Sequence, residues 1–348
     1  MCITRGFVPK SFLKGVITSI AKKGKDPNDC KSYRPITVCC ILSKVFEYVI
    51  FSELDTGDFG DNQLGFQKGL GCPEAHRLLA NVLMDSERNK SPLYMCTIDI
   101  SKAFDSVNHM QAMNALLLSG VSASIVKILK FWYENSIVSA KWKDRTSDPA
   151  KIKRGVRQGS VLSPLIFKHA ISKILDRISP SLLLHGTDLS YLAYADDVLL
   201  LSRSKADLQD NLSRLHSDFL SIGLSINIEK CEFLTFNAPK SESVTLGNHA
   251  VPAVSELRYL GIMIAETIGK TRQSIVKQTT TAIKRAYGSV VPNRGRYSRK
   301  SLASIYRSVC QPHVIYLAGA SHVLTVRDCK KIRKCYYKYA KFLLYISK

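Results

Sequence analysis

The sequence predicts an α+β fold, with a compact sheet region near residues 93–264 and a separate helical unit at the C-terminal end. Three observations carry this. Apolar runs of strand length alternate irregularly with segments of helical periodicity, unlike the strict alternation of a doubly wound sheet. The 348 residues are 45% hydrophobic, enough for a substantial core and for more than one compact unit. Charge is segregated as well. The formal net charge is +22, and from Lys270 to Lys348 there are 18 Lys and Arg against a single acid, Asp328. A surface that needs only solubility mixes both signs. This one implies a polyanionic partner, nucleic acid or an anionic membrane surface.

The elements follow in order. The first 34 residues mix apolar pairs with Gly and Lys, and "GKDPND" marks turns. Over 35–54, Val38, Ile41, Leu42, Val45, Phe46, Val49 and Ile50 recur at helical spacing with Pro35 near the first turn, which predicts a helix. A Gly-rich loop region over 55–73 leads to a helix over 73–89. "LYMCTIDI" at 93–100 is short, apolar and rich in strand formers, as in a buried strand. Helices are expected at 106–119 and 123–135, then a strand in "SIVSAKWK" and a helix in "VLSPLIFKHAISKIL". Residues 204–222 carry the clearest helical pattern. Leu208, Leu212, Leu215, Phe219 and Ile222 step by four and three, Ser204 with Asp207 forms a capping box, and Gly223 stops the helix. "CEFLTF" reads as a strand, the polar stretch 237–256 as turns, "LRYLGIMI" as one further strand, and the basic region after Lys270 as largely helical.

No stretch reaches 18 uninterrupted apolar residues, so no membrane span is expected. Arg5, Lys10 and Lys14 interrupt the N-terminal apolar residues, which argues against a signal peptide. The ten cysteines form no Cys-x-x-Cys pair and no zinc-ligand spacing with His. They read as reduced thiols of an intracellular protein.

The chemistry concentrates in "YLAYADDVLLLS" at 191–202. Two acids interrupt an apolar run, and buried acids are costly unless paired or bound to metal. In a continuous strand Asp196 and Asp197 would point to opposite faces. A tight hairpin with both acids at its tip removes the conflict and directs them toward Asp99, which ends the strand 93–100. Three carboxylates together repel. Divalent cations relieve this, and hard oxygen ligands suit Mg²⁺. Two such ions would clamp an in-line phosphoryl displacement.

With these motifs in place, the chain resembles the reverse transcriptases of non-LTR (LINE-type) retrotransposons. "KSYRPITVCCILSKVFEYVI" and "NQLGFQKGLGCPEA" resemble the fingers motifs. "TIDISKAFDSVNH", "RGVRQGSVLSPLIF", "YADD" and "GLSINIEKCEFL" resemble the successive palm motifs, and "LRYLGI" the primer-grip segment. The resemblance implies a right-hand polymerase: fingers over 1–92, an antiparallel-sheet palm with the catalytic hairpin over 93–265, and a helical thumb over 266–348. It implies an RNA-directed DNA polymerase that extends a primer 3′-hydroxyl on an RNA template with dNTPs. Two Mg²⁺ ions serve as cofactors, with Mn²⁺ as a substitute. Asp99, Asp196 and Asp197 are the implied metal ligands, joined by the backbone carbonyl of Ile100. Lys230 stands where a Lys protonates the leaving pyrophosphate. Phe104 is implied beneath the incoming sugar, Gln158 and Gly159 against the nucleotide, and Lys22 and Arg34 at the triphosphate. Tyr259, Leu260 and Gly261 are implied at the primer end, and Lys277, Lys284 and Arg285 along the template–primer backbone.

The run "KKIRKCYYKYAKF" reads either as a nucleic-acid surface or as an amphipathic helix with Tyr336 and Tyr339 inward. Such a protein is expected in the nucleus and in cytoplasmic ribonucleoprotein. The full element is expected to carry an endonuclease, and none is recognised here. The chain opens where the first fingers motif is already under way, and Ala21 replaces a frequent Pro. Three alternatives stay open: a catalytically idle nucleic-acid-binding remnant, a group II intron-type reverse transcriptase and an RNA-directed RNA polymerase.

Overall fold

The computed structural model describes residues 6–54, 60–239 and 243–344. Part of the Gly-rich loop (55–59), three residues of the polar stretch (240–242), and Cys2 and Arg5 lie outside them. The chain divides into two compact units, each built from three separate segments.

The first unit comprises Met1–Phe66, Ile100–Ile178 and Arg214–Asn227. Its sheet is ordered Tyr33–Val38, Lys14–Ala21, Ile137–Trp142, with two-residue strands at the far side. Here the structure corrects two expectations. The turn-rich N-terminal stretch contains an eight-residue strand, Lys14–Ala21, and the helix expected from residue 35 starts at Ile41. Pro35 instead pairs opposite Ser19 in the edge strand Tyr33–Val38. An edge strand tolerates a residue that cannot donate to the ladder. Helices His109–Leu118, Ala123–Glu134 and Ser163–Leu175 bury Leu116, Ile128, Leu129, Ile166, Phe167 and Ile171, all fully inaccessible.

The second unit comprises Gln67–Asp99, Ser179–Ser213 and Ile228–Lys348. Its main sheet has strands β1 (Leu93–Asp99), β2 (Tyr191–Tyr194), β3 (Asp197–Ser202) and β4 (Glu232–Phe236), in the order β4-β1-β3-β2 and antiparallel throughout. Leu93, Met95, Leu199, Leu200, Leu201, Phe233 and Phe236 are fully buried in it. Each such side chain stabilises the fold by about 1.5–3 kcal/mol relative to an exposed one. The polar stretch after β4 contains a hairpin, β5 (Ser243–Leu246) and β6 (His249–Pro252). The single strand expected in "LRYLGIMI" is also a hairpin, β7 (Glu256–Tyr259) and β8 (Ile262–Ala265). Leu260 and Gly261 turn it with φ of +42° and +78°, the two positive angles of a type I′ turn.

Helix α1 (Cys72–Asn89) precedes the sheet, and α2 (Ile268–Val290), α3 (Arg299–Ile315) and α4 (Val326–Leu344) follow it. Ala286 and Val290 of α2, Leu302, Tyr306 and Cys310 of α3, and Leu343 of α4 form one apolar cluster. Tyr336 and Tyr339 pack against it, and the Tyr306 hydroxyl donates to Tyr336 O at 2.6 Å. The amphipathic reading of the last basic run is therefore the observed one. Among the described residues no helix is long and apolar enough to cross a membrane, and the cysteines are free thiols.

The turn Gly319–Val323 lies so close to α1 that a Cβ on Gly319 would overlap the backbone carbonyl of Pro73. Gly319→Ala should lower unfolding free energy by about 1–3 kcal/mol in urea titrations. Gly288→Ala, in open space on an exposed part of α2, should raise it by roughly 0.5–1 kcal/mol.

Candidate active site

Strand register builds the acid cluster. β1 and β3 run antiparallel with Asp197 directly opposite Asp99. β2 and β3 form the expected hairpin, and Tyr194 and Asp197 close it around a two-residue turn, Ala195-Asp196. Ala195 takes φ +60°, as the first central residue of a type II′ turn does. Asp196 is thus the turn residue, while Asp197 is already the first residue of the returning strand. This differs from a tip holding both acids. The hairpin separates the two by geometry rather than by strand alternation.

The electrostatics follow from this crowding. Burial raises the Asp196 carboxyl above its ordinary value, and Asp99 adds to the rise; its own backbone N–H and Lys230 oppose it. Asp197 is pushed up to about 6, first by desolvation, then by Asp196 and Asp99, with Lys230 again opposing. Lys230 Nζ meets Asp99 Oδ2 at 3.0 Å and Oδ1 at 3.3 Å. The ammonium comes from the short turn Ile228–Lys230 just before β4. So Asp99, Asp196, Asp197 and Lys230 stand together, as the motifs require. Among the described residues, no three His, Cys, Asp or Glu side chains converge into a finished metal cage. The donor set nonetheless fits a hard divalent cation: three carboxylates hold mutual repulsion that a single ammonium on Asp99 only partly relieves.

Next to this site, the Tyr259 hydroxyl donates to Leu192 O at 3.1 Å and ties β7 to the β2–β3 hairpin. Leu260 and Gly261 form the β7–β8 turn. Lys277, Lys284 and Arg285 are exposed on α2, opposite its buried residues Ile275, Thr279, Ile283 and Ala286.

The first unit gathers the other predicted residues. Phe104 is half-buried and stacks on Phe167 with ring centroids 4.9 Å apart. Val156 N donates to Phe104 O at 2.7 Å, Thr37 N to Gln158 O at 2.7 Å, and Gln158 Nε2 to Asp105 Oδ1 at 2.8 Å. Lys44 Nζ donates to Gly159 O at 3.0 Å. A groove of about 260 Å³ is lined by Thr37, Asp105, Gln158 and the cations Lys151, Lys153 and Arg154. Arg34 is exposed on its strand opposite Ile20, and Lys22 Nζ holds Lys31 O at 2.8 Å. Asp105, Lys44 and Arg157 escaped the sequence reading as site-forming residues. Arg157 is buried and donates to Phe12 O, Leu13 O and Ser136 Oγ, anchoring the loop that bears Gln158. Their partners lie over a hundred residues away or across a loop, where no local pattern reports them.

Residues 20–264 match the family described as reverse transcriptase (RNA-dependent DNA polymerase). The chain belongs to this family. It is 26% identical over 352 residues to the RNA-directed DNA polymerase from mobile element jockey of Drosophila funebris, covering 94% of this chain and 38% of that protein. It is 29% identical over 282 residues to the Pol polyprotein from type-2 retrotransposable element R2DM of Drosophila melanogaster, covering 76% of this chain and 25% of that protein. The chain thus spans well under half the length of these non-LTR relatives. Its fold is similar to apo telomerase of Candida tropicalis truncated from the C-terminal domain, with a TM-score of 0.52, 16% identity, and coverage of 74% of this chain and 54% of that one. The right-hand polymerase fold of this reverse transcriptase region is therefore the expected one.

Folded Asp197 keeps its proton up to about pH 6, whereas the unfolded carboxyl releases it near 3.8. Its contribution is thus fully present below about pH 4 and is lost as pH rises through 6. In chelator, the stability of wild type relative to Asp197→Asn should fall across this window. Urea midpoints at pH 4, 5, 6 and 7 measure it, and a difference that is flat or rises with pH would contradict the assignment.

Proposed function

We propose that this chain is the polymerase region of a non-LTR retrotransposon protein, extending a DNA 3′-hydroxyl on an RNA template. The observation that carries the reading is the β1–β3 register, which sets Asp197 opposite Asp99 beside Asp196 in a chain of the reverse transcriptase family. Asp99, Asp196 and Asp197, with the carbonyl of Ile100, are the groups that would hold two Mg²⁺ ions, or Mn²⁺ in their place. When bound, such ions supply charge neutralisation at the attacking and leaving oxygens. The primer 3′-hydroxyl gives up its proton to water and its oxygen bonds to the α-phosphorus of a dNTP, while the bond from that phosphorus to the bridging oxygen breaks and pyrophosphate leaves. Lys230, an exposed ammonium, delivers a proton to that leaving group.

The remaining roles divide between the units. Phe104, braced by Phe167, lies under the sugar, where its ring collides with a ribose 2′-hydroxyl and favours deoxynucleotides. Gln158 and Gly159 contact the nucleotide, and Lys22 and Arg34 take the triphosphate, Arg34 as a bidentate partner. Tyr259, Leu260 and Gly261 hold the primer end. Lys277, Lys284 and Arg285 track the duplex backbone, a contact that weakens with salt. In functional terms fingers, palm and thumb are 1–92, 93–265 and 266–348. The full element supplies an endonuclease, and the protein works in the nucleus and in cytoplasmic ribonucleoprotein.

Primer extension on a primed RNA template with dNTPs tests the reading. Activity should require Mg²⁺ or Mn²⁺, vanish in EDTA, and be lost in Asp196→Asn/Asp197→Asn. Salt-sensitive RNA binding without incorporation at any metal level would favour the idle remnant instead. Phe104→Val should narrow the preference for dNTP over rNTP by about tenfold or more, read from kcat/KM for each nucleotide.

A further inference from the structure

The β7–β8 turn is held in an unusual way. Leu260, a residue with a Cβ, sits at φ +42°, a conformation that costs on the order of 1 kcal/mol and persists only when surroundings enforce it. Both carbonyls of the turn are capped by side chains. Leu260 O faces His76 Nε2 at 3.0 Å and accepts from the Tyr316 hydroxyl at 2.9 Å. Gly261 O accepts from Gln278 Nε2 at 2.8 Å. His76 is buried on α1, and its Nδ1 faces Tyr316 O at 3.2 Å. Its ring meets the Tyr316 ring edge-on, with centroids 5.2 Å apart. A side chain on Gly261 would press on the Tyr316 ring at 3.4 Å, in addition to being strained at φ +78°.

The turn is also tied to the hairpin that bears the acids. The Tyr259 hydroxyl, one residue before Leu260, donates to Leu192 O of β2 at 3.1 Å.

We infer that Tyr316 and His76 are positioning residues that fix the Leu260–Gly261 turn, itself tied to the β2–β3 hairpin by Tyr259, and so set where a primer 3′-end stands. The inference rests on the polymerase reading. A generic packing role would need only the edge-on contact of the Tyr316 ring with buried His76. The clamp uses the Tyr316 hydroxyl, and an oriented donor on a turn carbonyl controls sub-ångström placement, to which reaction rate is far more sensitive than binding.

Single-nucleotide incorporation on a primed RNA template, under single turnover with saturating substrates, tests this on the full chain. Tyr316→Phe should lower the maximal rate on the order of tenfold. Its dNTP half-saturation, its primer–template Kd and its urea midpoint should stay within about twofold of wild type, since only one hydroxyl is removed. His76→Ala should lower the rate in the same way, and His76→Gln, which keeps a donor, should recover part of it. A wild-type maximal rate in Tyr316→Phe overturns the inference alone. So does a rate loss that only tracks weakened duplex binding or stability. Wild-type protein that incorporates nothing at any metal level overturns the polymerase reading, and this inference with it.

Discussion

Asp197 faces Asp99 across two central strands, with Asp196 one residue away, and the second unit is organised around keeping that arrangement. Like charges directly opposite in a sheet are destabilising. The arrangement persists because the strands that bear the acids are apolar on both sides of the charge. Met95, Cys96, Ile98 and Val198 to Leu201 are buried, successive residues on alternate faces of the sheet, so both faces contribute to the core that holds these strands. The cost of bringing the acids together is met by the hydrophobic core, and part of it is offset locally by Lys230 on Asp99. Two carboxyls with raised proton affinity beside one ammonium are poised to exchange protons for a hard cation.

The first unit meets a different constraint. Phe104 and Gln158 belong to loops, and loop backbones need partners. Here the loops supply them to one another, through Val156 N to Phe104 O and Thr37 N to Gln158 O. Arg157 spends its donors on Phe12, Leu13 and Ser136 beneath them. A buried cation, bonded through its two terminal nitrogens, therefore serves as a structural anchor in a segment whose neighbours Lys153 and Arg154 are exposed. Residue type alone does not distinguish these roles, because burial decides whether a guanidinium holds the protein together or faces a ligand.

Legibility in the sequence followed the range of the interactions. The helices over 72–89, 123–134, 163–175 and 205–221 carry their own periodicity, and they stand within a few residues of expectation. Strand 93–99 and the hairpin around Asp196 were equally plain, since an acid pair in an apolar run leaves few geometries. The misses arose where local signals were ambiguous. Pro35 favours a helix start but also fits an edge strand, and only pairing with Lys14–Ala21 decides. "LRYLGIMI" is continuous in hydrophobicity, so its turn at Leu260 leaves no trace in the pattern. Tyr316 and His76, 240 residues apart, carry no mutual signature at all.

By itself the sequence determined the family motifs and their order. Acids, glycines, prolines and apolar spacing act within a few residues, where chain geometry leaves little freedom. It also determined the strong positive charge of the chain, +22, because net charge does not depend on folding. The tertiary structure alone decided that Asp197, rather than Asp196, stands opposite Asp99, and that Lys230 lies on Asp99. It also decided that the Leu260–Gly261 turn is clamped by side chains from α1, α2 and the residue after α3. Those contacts join positions tens to hundreds of residues apart. Their existence depends on strand register and close packing, which the whole chain must settle together.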